Sequence, residues 1–318
     1  MRTFLNGEAF FLALLLQQYF AALTATTTTN TAVTIATILR PAPSFVLRAR
    51  RASGPLRCFA SVKEVARRSA PRALASVADT PAMSSTIASA LANVQSRIDF
   101  ASLNDRSVRL VAVSKTKPLA DLLVAYEAGQ RVFGENYVQE IVGKAPEMPE
   151  GTLWHFIGPI QSNKAAALVK GVGRSLVCVE TVSTTKLASK LNNAAAELNS
   201  DTEPFCLGIY LQVNTSGEDS KSGLIPSDTP AFAKEIVDSF THLHLRGLMT
   251  IGAPGDLACF DTLVDCRTEV AKVLGIAEVT LELSMGMSGD YEEAIARGAT
   301  NVRVGSTIFG ARDYSNKK

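Results

Sequence analysis

Between residues 108 and 304, short apolar runs alternate with longer stretches in which apolar side chains recur every three or four positions. The runs predict eight strands, at 108–114, 131–134, 153–157, 176–180, 207–213, 245–250, 280–284 and 301–304. The periodic stretches between them predict seven helices, at 119–128, 137–144, 163–170, 184–198, 229–240, 258–274 and 291–297. A further amphipathic helix at 86–100 precedes the first strand. Strictly alternating strands and helices with short connections describe one closed (β/α)8 barrel, the α/β TIM-barrel class, with an extra helix in front. A doubly wound open sheet is the alternative, but it usually needs fewer strands, and no G-x-G-x-x-G follows the first one.

The segment before this pattern has a different composition. Arg2 precedes an apolar run from Ala9 to Leu16, which Gln17 and Gln18 interrupt before a Thr/Ala tract begins. The run falls short of the roughly 20 apolar residues of a membrane span but suits a signal-peptide core. From Arg40 to Arg72 the chain is rich in Arg, Ala and Ser, as transit peptides are. Residues 1–83 are therefore expected to be a targeting or disordered extension and 84–318 the barrel. A plastid or mitochondrion is the expected destination. A cytoplasmic protein with a low-complexity tail, or with a misassigned start, is the alternative.

Charge follows the same division. The 318 residues sum to +2, but the first 90 hold ten basic against three acidic side chains, and the other 228 hold 22 against 27. A body at −5 offers no broad basic surface for a phosphate backbone, so neither nucleic acid nor membrane is expected as a partner. Five cysteines, odd in number and widely spaced, and three scattered histidines suggest neither a disulfide framework nor a structural metal site.

In a barrel of this kind, chemistry sits at the carboxyl ends of the strands. The first strand ends Val113-Ser114-Lys115, with Lys115, Val113 and Val111 on one face. If that face is interior, Lys115 projects into the barrel mouth, where desolvation favours a neutral amine able to form a Schiff base with a carbonyl. An exposed strand-end lysine would give the same local pattern, and Lys117, just before Pro118, is expected in solvent. The last strand reads Asn301-Val302-Arg303-Val304-Gly305-Ser306-Thr307, which puts Arg303 on the face of Asn301 and Gly305. A buried guanidinium requires an acceptor, and the Gly/Ser/Thr run after it can present donors to an anion. The seventh strand ends similarly, in Ser284-Met285-Gly286-Met287-Ser288-Gly289-Asp290. Either loop alone reads as turn chemistry with Asp290 as an N-cap, but the pair lies where barrels hold phosphate. Reactive lysine, phosphate cradle and inward arginine together suggest pyridoxal 5′-phosphate (PLP). An arginine beside the pyridine nitrogen would disfavour its protonation and weaken the ring as an electron sink.

These motifs resemble the pyridoxal phosphate homeostasis protein family. The resemblance is carried by Ala112-Val113-Ser114-Lys115-Thr116-Lys117-Pro118, Phe133-Gly134-Glu135-Asn136-Tyr137-Val138-Gln139-Glu140, Trp154-His155-Phe156-Ile157-Gly158-Pro159, Gly247-Leu248-Met249-Thr250-Ile251, Leu283-Ser284-Met285-Gly286-Met287-Ser288 and Val304-Gly305-Ser306-Thr307-Ile308-Phe309-Gly310, collinear from about Ser84 to Tyr314. It implies an alanine-racemase-like barrel, monomeric or weakly associating, that holds PLP through Lys115. It further implies phosphate contacts from Ser284, Gly305 and Ser306, a ring-nitrogen contact from Arg303, and Asn136, His155 and Met249 near the ring or the mouth. Asn136 could equally cap the helix that follows, His155 could be a satisfied interior histidine and Met249 could be core. Ser222 and Gly223 are weaker candidates.

Two functions fit such a site: a non-catalytic carrier that buffers PLP or delivers it to PLP-dependent apo-enzymes, and a PLP-dependent amino-acid racemase. A racemase needs a second acid–base group on the far face of the ring, which racemases of this fold take largely from an additional domain and a partner subunit. This chain ends at Lys318, eleven residues after Thr307, so the carrier is expected. Tyr137 and Tyr210, taken as interior, are the substitutes a racemase could use. A Schiff-base aldolase acting on a phosphorylated sugar shares the lysine but accounts less well for Arg303.

Overall fold

Side chains on the barrel strands alternate between two environments with the two-residue period of a pleated strand. Leu110 and Ala112 of the first strand join the large apolar core shared with the helices, while Arg109 reaches across the barrel to Tyr210 and Glu282. The structure, a computed structural model, describes residues 81–102, 107–200, 202–218 and 221–311. Its strands are β1 (Arg109–Val113), β2 (Val132–Glu135), β3 (Leu153–Phe156), β4 (Leu176–Val182), β5 (Leu207–Gln212), β6 (Leu243–Met249), β7 (Glu282–Met287) and β8 (Asn301–Val304). All pair in parallel and in sequence order, and β8 closes onto β1 with Val111 opposite Arg303.

The intervening helices are α2 (Leu119–Glu127), α3 (Val138–Lys144), α4 (Ala165–Val172), α5 (Thr185–Ala196), α6 (Thr229–Ser239), α7 (Ala258–Leu274) and α8 (Tyr291–Ala296), with a short α9 (Ser306–Phe309) after β8. Helix α1 (Pro81–Ala101) precedes β1 and packs against α2, α8 and α9. It buries Ile87, Leu91, Val94 and Ile98, one helical stripe, and stands beside the one-turn α9 between α8 and α2. The helix begins five residues before the expected Thr86. The expected extension, residues 1–83, lies outside the described residues except for its last three positions, which belong to α1. No helix among the described residues is long and apolar enough to cross a membrane, and no group of three or more His, Cys, Asp and Glu among them could hold a metal ion.

β7 departs most from expectation, starting two residues late and ending three late. Thr280, expected to open the strand, instead ends a 3-10 turn over Glu278–Thr280, and the register slips between Ser284 and Met287, where Gly286 has φ +91°. A Cβ at Gly286 would lie 2.6 Å from Ala294 Cβ, so only glycine fits both the backbone and the space. The bulge carries the end of β7 over the barrel mouth.

The barrel interior is polar, unlike the branched apolar layers common in this fold. At its amino-terminal end Glu282 accepts hydrogen bonds from Arg109 and Tyr210, and from Arg246 Nη2 at 2.8 Å. Gly208 makes room for this layer, since a Cβ there would meet Arg246 Cδ at 2.7 Å. Burial pushes the Glu282 carboxyl up, but Arg109 and Arg246 outweigh it and hold the group down to about 2. A carboxylate depressed in the folded state contributes stability above its ordinary range, and loses it as pH falls toward the folded value. Wild-type protein and Glu282→Gln are therefore expected to differ in thermal midpoint at pH 7 and to converge as pH drops from about 4.5 toward 2. Parallel curves would contradict this account.

Candidate functional site

At the carboxyl ends of the strands a cleft of about 410 Å³ opens, within the roughly 300–1,000 Å³ range of small-molecule sites. Lys115 enters it just after β1, Asn136 just after β2, and Arg303 at the end of β8. Two short Gly/Ser loops close one side: Ser288 and Gly289 after the β7 bulge, and Gly305 and Ser306 at the start of α9. The loops are tied together, because Gly305 N–H donates to Ser288 Oγ at 3.1 Å. The first amides of α9 also lack intrahelical acceptors, as at any helix start. Asp290 does not cap α8; its carboxylate accepts from Met287 N–H at 2.6 Å and tightens the same loop. Val113, Ile157, Ile251 and Met287 give the cleft an apolar wall. Asn136 Oδ1 is buried there without a hydrogen-bond partner, an acceptor facing a site that holds several donors.

Beneath the cleft lies a second polar layer. Glu180 receives His155 Nδ1 at 2.5 Å, Ser284 Oγ at 2.5 Å and Asn301 Nδ2 at 3.2 Å. Arg303 donates to Ser284 Oγ at 2.6 Å and to the Thr250 carbonyl at 2.7 Å, and its Nη1 lies 3.8 Å from Glu180. Burial pushes the Glu180 carboxyl up, but His155 and Arg303 outweigh it and keep it ionised. Burial presses His155 down, so the ring is neutral and Nδ1 carries the donated proton. Arg303 is likewise pressed down by burial and supported by Glu180. Asn301 joins this layer to the basal one by accepting from Arg109 at 3.3 Å.

Of the residues singled out by sequence, Lys115, Asn136, Arg303, Gly305 and Ser306 converge on the cleft. Ser284, His155 and Met249 lie below it, each fully buried. The register explains this, pairing Ser284 with Asn301 and Met249 with Ser284, one rung beneath Arg303. Ser284 thus supports the arginine instead of facing the cleft, and Ser288 takes the place on the rim. Met249 packs with Cys178 and Tyr210 in the barrel centre. Two further expectations need correction. Tyr137 is 46% exposed, not interior, because it precedes α3 on the outside of the mouth, and Tyr210 points into the basal layer. Lys117 is half-buried at the cleft edge, with its amine 2.8 Å from the Ala311 carbonyl, not free in solvent. Sequence reading missed Glu180 altogether, although the alternation Cys178, Glu180 already placed it on the inner face of an apolar strand.

The chain is 49% identical over 221 residues to the mouse pyridoxal phosphate homeostasis protein, covering 66% of this chain and 78% of that one. The fission yeast protein of the same name is 44% identical over 234 residues, covering 72% and 94%. The chain belongs to the pyridoxal phosphate homeostasis protein family. No protein-family profile matches it. Among solved structures, PipY of Synechococcus elongatus with PLP bound superposes with a TM-score of 0.57 at 35% identity, covering 70% of this chain and all of that one. Alanine racemase from Corynebacterium glutamicum, 13% identical with a TM-score of 0.52, covers 72% of this chain and 63% of its own and shares the fold alone. Membership in the homeostasis family thus rests on relatives that align along most of their length with the barrel described here.

Proposed function

We propose that this protein holds pyridoxal 5′-phosphate in the cleft, linked as a Schiff base to Lys115, and serves PLP homeostasis by storing the cofactor and passing it to PLP-dependent apo-enzymes. The observation that carries this reading is the convergence of Lys115, Arg303 and two tied Gly/Ser loops on one small-molecule-sized cleft. The PLP recorded in PipY and the names of the curated relatives support it. The residues present fit the group. The loops at Ser288–Gly289 and Gly305–Ser306 would hold the phosphate through amides and hydroxyls, Arg303 would face the ring nitrogen, and the unpartnered Asn136 Oδ1 would accept from a ring substituent. Val113, Ile157 and Ile251 would exclude water from one ring face.

When bound, the cofactor supplies an aldehyde and a conjugated ring that can spread negative charge. Arg303, kept cationic by Glu180, would oppose protonation of the ring nitrogen and so limit that capacity. This favours holding the cofactor over driving carbanion chemistry with it. We place the protein as a monomer and read residues 1–83 as an organellar address; both extend the same proposal.

Purified protein loaded with PLP and freed of unbound cofactor is expected to retain a Schiff-base band, and borohydride reduction to fix the cofactor on Lys115, located by peptide mass. Protein that keeps no colour after the unbound PLP is removed, or label on another lysine, would defeat the reading. Loaded protein incubated with single L-amino acids is expected to leave their chirality unchanged. Sustained racemisation would replace the carrier with the enzyme.

A further inference from the structure

The turn that delivers Lys115 to the cleft is strained on one side and clamped on both. Thr116 has φ +62°, the only non-glycine among the described residues in the left-handed region, and a β-branched side chain is poorly suited to it. Its hydroxyl Oγ1 is buried without a hydrogen-bond partner, so the side chain does not itself compensate. A conformation of this kind persists only where its surroundings hold it.

The surroundings are three charged residues on β2 and α3. Thr116 N–H donates to Glu140 Oε2 at 2.8 Å. The Lys144 ammonium donates to that same Oε2 at 2.8 Å, to Glu135 Oε1 at 2.7 Å and to the Ser114 carbonyl at 3.0 Å, which uses all three of its protons. Ser114 Oγ donates to Glu135 Oε1 at 2.7 Å. The amide that follows Lys115 and the carbonyl that precedes it are therefore held by one ion cluster. Lys144 is only 13% exposed and Glu135 fully buried, so water competes little for these contacts.

We propose that Glu140, Lys144 and Glu135 form a positioning clamp for Lys115. By fixing the peptide groups on both sides, and with them the left-handed turn at Thr116, the cluster sets the direction in which the Lys115 amine leaves the backbone. The inference rests on the reading of Lys115 as the Schiff-base lysine. That condensation joins Nζ to the aldehyde carbon and releases the aldehyde oxygen, with the two amine hydrogens, as water. The clamp bears on this step and not on the phosphate, whose contacts are assigned to the loops after β7 and β8.

Two ligands separate the roles. Pyridoxine 5′-phosphate carries the same ring and phosphate but an alcohol in place of the aldehyde, so it reports the cleft without the lysine. In Glu140→Ala and in Lys144→Met, Schiff-base formation with PLP is expected to slow about tenfold or more, the scale on which small misplacements of a reacting group act. Pyridoxine 5′-phosphate should bind each variant as it binds the wild type. Glu140→Gln keeps an amide oxygen for the Thr116 N–H and should recover part of the rate, and it serves if Glu140→Ala fails to fold. Adding Thr116→Gly to Glu140→Ala should also recover part of it, because glycine adopts the turn without strain. Exchange of the Thr116 amide hydrogen should quicken in Lys144→Met. Parallel loss of both ligands would show a collapsed cleft and overturn the clamp, as would an unchanged rate or unchanged amide exchange. A wild type that binds pyridoxine 5′-phosphate yet forms no Schiff base would instead fault the reading of Lys115.

Discussion

Lys115→Ala, loaded with PLP and freed of unbound cofactor, is expected to show no Schiff-base band and to leave borohydride with no cofactor to fix on the chain. Covalent capture is the part of binding that a single residue supplies. The phosphate loops, Arg303 and Asn136 stay in place, so non-covalent affinity should persist at a reduced level. A fall of at least about a hundredfold in apparent affinity corresponds to roughly 2.8 kcal/mol at 1.4 kcal/mol per tenfold. Equilibrium dialysis against PLP measures the loss. Lys117→Ala is the matched control, since Lys117 also borders the cleft but its amine is tied to the Ala311 carbonyl. If the band survives in Lys115→Ala and disappears in Lys117→Ala, the two lysines have been assigned the wrong way round.

What could be read from the chain in advance followed local pattern, and what could not be read depended on long-range placement. β8 spans the expected Asn301–Val304 because that four-residue run sits between turn residues on both sides. The alternation within it also put Asn301 and Arg303 on one face, as the structure has them. β7 departs from its local pattern because a bulge at Gly286 extends the strand through Gly/Ser-rich residues. Ser284 pairs with Asn301 before the slip and so lies beneath Arg303, while the slip brings Ser288 to the rim. Glu180 carries no local signal of its role because its partners Ser284 and Asn301 lie 104 and 121 residues away. By spacing alone, Glu140 and Lys144 are one more i,i+4 pair on α3, and nothing local marks them out. Only the placement of α3 beside β2 turns that pair toward Thr116 and Ser114.

Glu180→Ala is expected to be the most destabilising of these substitutions. Removal of one member of a buried charged network costs about 3–5 kcal/mol, because the remaining charge stays buried without its counterion. Here the remaining charge is Arg303, 5% exposed, together with His155 and Ser284, which lose the oxygens they donate to. At roughly 2–4 °C per kcal/mol for a domain of this size, the thermal midpoint should fall by about 10 °C. Glu180→Gln keeps the volume and one acceptor oxygen and should fall less. The source of the cost can be isolated with Arg303→Met, which removes the charge that Glu180 serves. If the network exists to hold the arginine, Glu180→Gln and Arg303→Met should be less than additive, with a coupling of at least about 1 kcal/mol. Simple additivity would mean that His155 and Asn301, not Arg303, account for Glu180. Well-packed apolar residues can match a buried ion network in stability. A layer of this kind beneath the cleft is therefore better explained by what it positions, a guanidinium fixed at the floor of the site, than by the stability it confers.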